Sequence, residues 1–174
     1  MKTLRSTLAL LLGVAALVEV QAAPSPASSP ARVEVNFENP DKFTDAADAP
    51  RGSDFGREQN LGELRDYIVK RASAVLPPDQ RLSVTITDVA LAGEIEPWRT
   101  GGAQDVRIIK EVYVPRIELS YRVTDGTGAV VKEGQRALRD LTFTMRLHVN
   151  RNDPRVYEKE LLDDWIRSDL RQKK

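Results

Sequence analysis

The chain has 174 residues, with 26 Lys and Arg against 26 Asp and Glu, one His and no Cys. That length suits one domain with a sizeable core, and zero formal charge gives no overall case for nucleic-acid binding. The missing Cys excludes disulfides, thiolate metal sites, Cys nucleophiles and the lipidated Cys of a bacterial lipoprotein, and a single His excludes two-His metal motifs.

Met1 to Ala22 reads as a cleavable secretory signal peptide. Lys2 and Arg5 form a basic start, Leu8 to Val18 is an apolar run too short to span a bilayer comfortably, and Val20 and Ala22 have the spacing of a cleavage site. Glu19 ends the apolar run early and speaks against an uncleaved anchor. Residues 23–31 then form a flexible linker of Pro, Ser and Ala with nothing to pack. Cleavage after Ala22 leaves 24 basic and 25 acidic residues, a net charge of −1. The expectation is an exported periplasmic protein, with no stable membrane span once the signal is removed.

Residues 32–174 are read as a single α+β domain. Arg32 to Phe37 alternates as a half-buried strand. Asp41 to Gln59 holds no period and forms a long acidic loop; between Val33 and Asp66 there are nine acids and four bases. Asn60 to Leu76 has helical spacing, with Asn60 and Glu63 as a capping box and Pro77-Pro78 as the stop. Arg81 to Ala90 alternates as a strand. Gly93 to Gln104 is a second long loop. Asp105 to Val114 and Arg116 to Thr124 are strands broken at Pro115. Asp125-Gly126-Thr127-Gly128 is a hairpin turn, and Ala129 to Arg139 is the returning strand. Leu141 to Val149 alternates perfectly and reads as a further strand or an extension of that one. Asp153-Pro154 caps a last helix that runs to about Arg171, with Tyr157, Leu161, Leu162, Trp165, Ile166 and Leu170 as its apolar stripe. The order predicts a two-layer α+β sandwich: a mostly antiparallel sheet of five or six strands with two helices packed on one face.

Few residues invite chemistry. His148 falls on the polar phase of its strand, and no Gly-x-Ser-x-Gly elbow accompanies it. Gly126-Thr127-Gly128 lies between strands and lacks the rest of a phosphate loop. Asp41, Asp45, Asp48 and Asp54 do not have calcium-loop spacing and read as a solvated acidic loop. The bases of Lys132 to Arg151 either meet an anionic surface or balance that acidic loop. No metal site and no cofactor is expected.

Asp88 and Glu94 are the carboxylates that could share acid–base work if folding brings them together and burial separates their pKa values. The alternative is that Asp88 bonds backbone amides at a turn and Glu94 pairs with an Arg. Trp98, in the second loop beside Arg99, is either a binding anchor or a lid on the core.

Several segments together resemble a bacterial exported family identified as domain of unknown function 3016. They are Val33-Glu34-Val35-Asn36-Phe37, Asn39 to Asp45 with its Phe43-Thr44-Asp45, Leu76 to Leu82, and Thr87 to Glu94 with Pro97. Arg107, Pro115, Tyr121, Glu133-Gly134, Leu138, Asp140, Phe143, Tyr157-Glu158-Lys159 and Trp165 follow. The resemblance implies a Gram-negative envelope protein and assigns neither an activity nor catalytic residues. The element order is also similar to that of periplasmic lipoproteins serving transport or lipopolysaccharide assembly, though the lipobox Cys is missing.

The first functional expectation is a non-enzymatic binding or envelope accessory protein, its partner an envelope protein or a small ligand and not a nucleic acid. Asp88, Glu94 and Trp98 are the candidate binding residues. The second is a periplasmic hydrolase using carboxylates such as Asp88 and Glu94; the third is a purely structural envelope protein.

Overall fold

The computed structural model describes residues 31–48, 54–98, 106–147 and 152–171. The predicted signal peptide, the predicted linker up to Pro30 and His148 lie outside the described residues.

The first strand, β1 (Val33–Phe37), buries Val33 and Val35 and turns Glu34 and Asn36 to solvent, as its alternation requires. The first helix, α1 (Arg57–Val75), buries Leu61, Leu64, Ile68 and Ala72 along one stripe. It starts three residues earlier than the capping-box pattern predicts, so Asn60 sits inside it and does not cap it. At its other end Arg32 donates to the carbonyls of Ser73, Leu76 and Pro77, a cation on the helix's free acceptors.

The second strand, β2 (Arg81–Ala90), lies parallel to β1, with Val33 opposite Leu82 and Phe37 opposite Ile86. Two short strands follow, β3 (Glu94–Ile95) and β4 (Arg107–Ile108), paired with each other in a separate ribbon. The ten-residue strand expected from Asp105 is thereby corrected to two residues. The chain turns at Lys110–Tyr113, where the Tyr113 amide bonds the Lys110 carbonyl at 3.0 Å, and the same turn returns the Tyr113 carbonyl to the Gly93 amide. Gly93 has φ of +80°, and a Cβ there would lie 2.6 Å from the Ile108 carbonyl oxygen. Only glycine allows this close return.

Next come β5 (Arg116–Thr124) and β6 (Val130–Arg139), a hairpin closed by Asp125, whose carboxylate accepts the Thr127 amide and hydroxyl and the Ala129 amide. The main sheet has the order β1-β2-β5-β6, with one parallel and two antiparallel pairings. The architecture is α+β with a mixed four-stranded sheet and a two-stranded one; the expected single sheet of five or six strands is not what forms.

The strand expected over Leu141 to Val149 does not form in its described part, residues 141–147. Asp140 accepts both the amide and the hydroxyl of Thr142 at 2.8 Å, which ends β6, and Phe143–Met145 becomes a 3-10 turn. Phe143 is buried edge-on against Tyr157, with ring centroids 5.0 Å apart, while Leu141, Met145 and Leu147 stay exposed. The alternation had no sheet to bury against.

The second helix, α2 (Val156–Trp165), starts after the Asp153-Pro154 turn and runs into a π-helical turn, Ile166–Leu170. Leu161, Leu162, Trp165, Ile166 and Leu170 are buried, as their spacing predicts. They join the α1 stripe and the inward residues of β1, β2 and β5 in one core, in which Trp165 meets Tyr121 edge-on at 5.5 Å. The opposite face of the sheet carries Ser83, Thr85, Ser120 and Arg122 and faces solvent.

Candidate functional site

The acidic loop is bound to the end of β2, and a bulge makes that possible. Leu82, Val84 and Ile86 point into the core, and strict alternation would send Asp88 after them. The register shifts between Ile86 and Asp88, so Val89 takes the inward position opposite Ile117 and Asp88 is turned outward opposite Glu118. There its carboxylate accepts the Thr44 amide at 2.6 Å, the Thr44 hydroxyl at 2.7 Å and the Arg116 guanidinium at 2.6 Å. Burial alone would raise its pKa; these donors outweigh burial and hold it below the usual carboxylate value.

One residue on, Asp45 bridges Ala90 in parallel: its amide bonds the Val89 carbonyl and its carbonyl accepts the Leu91 amide, each at 2.9 Å. Its side chain takes a two-pronged bond from Arg107, at 2.7 and 3.0 Å. Arg107 also donates to the carbonyls of Gly93 at 2.9 Å and Ala47 at 2.6 Å. Both side chains are only 12% exposed, so this fork is largely out of water.

A second clamp lies beside it. Arg155, 5% exposed, donates to the side-chain Oδ1 of Asn60 at 3.0 and 2.7 Å and to Asp48 at 2.5 Å. Asn60 in turn donates to the Ala46 carbonyl at 3.1 Å. The loop from Thr44 to Asp48 is therefore held by β2, β4, α1 and the start of α2.

Under the two clamps lies Glu158, 1% exposed. The Ala92 amide donates to its Oε1 at 2.6 Å, while its Oε2 is buried with no hydrogen-bond partner. Burial pushes its pKa above the ordinary glutamate value, against the opposing pull of the Ala92 amide, its own amide, Arg155 and Arg107.

Above the clamps opens a cleft of about 700 Å³, lined by Asp48, Asn60, Arg107, Ile109, Arg146 and Arg155 among others. Exposed apolar residues adjoin its lining: Val106 beside Arg107, and Met145 and Leu147 on either side of Arg146, the last of them 89% exposed. Exposed Phe55 joins through its carbonyl, which accepts the Asp48 amide at 2.8 Å. Such a site offers hydrogen bonds from below and apolar contact at the rim.

Of the three residues singled out from sequence, Asp88 has as its partners Thr44 and Arg116, two residues of the cavity that Glu94 lines. Glu94 sits on β3 opposite Ile108 and lines a smaller cavity of about 210 Å³ with Thr44, Asp45, Tyr113 and Arg116; neither Asp88 nor Trp98 lines that cavity. Trp98 is 70% exposed. Conversely, sequence reasoning assigned no site role to Asn60, Arg107, Arg155 or Glu158. One signal was available for Glu158: it is in phase with Leu161, Leu162 and Trp165, a carboxylate on an apolar stripe.

Phe43-Thr44-Asp45, Asp88, Arg107 and Glu158, which fold into this one region, all belong to the segments that carry the family resemblance. No curated protein matches the chain. Residues 31–168 match the family described as protein of unknown function (DUF3016), and the chain belongs to that family.

Proposed function

We propose that this is an exported, periplasmic, non-enzymatic binding or envelope accessory protein, and that it holds its ligand or partner at the cleft between the acidic loop and the N-terminal ends of the two helices. The observation that carries the reading is the cleft itself: a polar floor of clamped guanidinium and amide groups with an exposed apolar rim. Against catalysis stands the state of Asp88. Three donors hold it ionised, which suits a structural anchor and not a proton donor. Trp98 offers a further exposed aromatic contact on the second loop. Export is supported by the basic start and short apolar run of Met1 to Ala22.

The test is site-specific photocrosslinking of the full chain in cells. A photoreactive residue replaces Thr144 in the cleft or Gln135 on the open sheet face. The expected result is a discrete adduct from Thr144 and none from Gln135, recovered in the periplasmic fraction. Equal labelling from both positions, or no adduct from the cleft, would overturn the binding reading, and a cytoplasmic location would overturn export.

A further inference from the structure

The acidic loop is fastened to the domain by two arginines, and one buried acid lies close to both. Arg107 gives its two terminal nitrogens to Asp45 and to the Gly93 and Ala47 carbonyls, its Nε being buried without a partner, and Arg155 bonds Asp48 and Asn60. Neither guanidinium bonds Glu158, although both act on it through space. Its Oε1 has the Ala92 amide, and its Oε2 has no donor at all.

A carboxylate buried to this degree with one bare oxygen is costly. It has two ways out. It can take a proton and become neutral, or it can ionise and recruit the nearest cations. Those cations are already the fasteners of the loop. The other charged groups around it are accounted for: Asp45 and Asp48 from the loop are tied to Arg107 and Arg155, and on its own helix Lys159 is tied to Asp153 at 2.7 and 2.8 Å. From α1 the neutral Asn60 bonds Arg155, and Glu63 lines the same cleft.

We propose that Glu158 is a proton-operated latch on the acidic loop. Protonated, it leaves Arg107 and Arg155 to hold Asp45 and Asp48 in place beside the cleft. Ionised, it competes for the two guanidinia and loosens the loop. The latch rests on the reading of the cleft as a binding site only for its purpose; the coupling of loop to proton stands without a ligand.

Amide hydrogen exchange on the full chain tests this. The amides of Asp45, Asp48 and Leu91 report loop closure, because they bond Val89, Phe55 and Asp45. Corrected for intrinsic rates, their protection should fall about tenfold as rising pH ionises Glu158, above its ordinary value of 4.5, while the interior of α1 stays unchanged. In Glu158→Gln, which keeps an acceptor for Ala92 and cannot ionise, protection should stay high across the range. A flat profile in the wild type, or the same fall in Glu158→Gln, would overturn the latch. If the variant does not fold, a carbon-13 titration of the wild-type Glu158 carboxyl decides. Titration above the ordinary glutamate value of 4.5, with loop amide shifts moving in step, supports the latch; titration at or below it overturns the latch. Failed crosslinking at the cleft leaves these readouts untouched, so the two readings fail separately.

Discussion

The face where helices meet sheet and the pocket beneath the acidic loop are both buried, but different physics holds them. On the helix face Leu64, Ile68, Val84, Ile86, Ile117 and Trp165 exclude water by apolar area, and no single partner is indispensable. Beneath the loop, Asn60, Arg155 and Glu158 are buried and Asp45, Asp48 and Arg107 half-buried, all held by polar partners. Removing one leaves another stranded. The first region should respond to lost volume and hardly to pH. The second should respond to lost partners and strongly to pH.

The largest expected effect is in the apolar region. Trp165→Ala removes the ring that packs on Tyr121 and should cost about 3–5 kcal/mol in urea unfolding, with little change between acid and neutral pH. A pH-dependent loss would show that the two regions are not separable.

Next comes Arg107→Met, which keeps bulk but strands Asp45 in a largely buried position. A loss of about 3 kcal/mol is expected at neutral pH. The added change Asp45→Asn should recover part of that loss; no recovery would mean that packing, and not pairing, is what Arg107 supplies.

Glu158→Gln should have the opposite sign, stabilising the protein by about 1–3 kcal/mol at neutral pH, because burial disfavours the ionised carboxylate and Gln has no ionised form. Unfolded, Glu158 ionises near 4.5; folded, it ionises higher, so the folded state binds the extra proton between those values. Stability therefore falls as pH rises through that window, and the variant should lack this slope. Asp88 has the reverse sense: its pKa is lowered on folding, so its contribution is present above the ordinary value of 3.8 and is lost as pH falls through the folded value. Chemical denaturation across pH separates the two slopes.

The smallest effect belongs to the solvent face. Arg122 and Glu133 pair across β5 and β6 at 3.1 Å, each more than half exposed. Arg122→Ala should shift stability by less than about 0.5 kcal/mol, and a larger loss would give the open sheet face a role that its exposure does not suggest.

Where a period is matched by a partner to bury it, the element forms as its spacing predicts. β2 and β5 have the bounds that alternation predicts, and α1 and α2 bury the stripes their spacing predicts. Reading failed where a local hydrogen bond outbid the pattern. Asp140 folded back on Thr142 and ended the alternating run at Leu141, and the turn at Tyr113 cut the strand from Asp105 to two residues. It also failed where a residue type has two ordinary uses. Asn60 has the composition of a cap, but its amide bonds Ala46 and Arg155 from inside the helix.

By itself the sequence determined the α+β class, the two amphipathic helices, the lack of thiol chemistry and the family. Each depends on composition, on periodicity or on segments read one at a time. Tertiary structure alone decided that Asp45 meets Arg107, 62 residues away, that Asp48 meets Arg155, 107 away, and that Glu158 lies under both. Pairing of charges across such distances leaves no period in the chain. It comes from a parallel bridge, a bulge in β2 and a glycine at 93, which bring the loop, the ribbon and the last helix to one place.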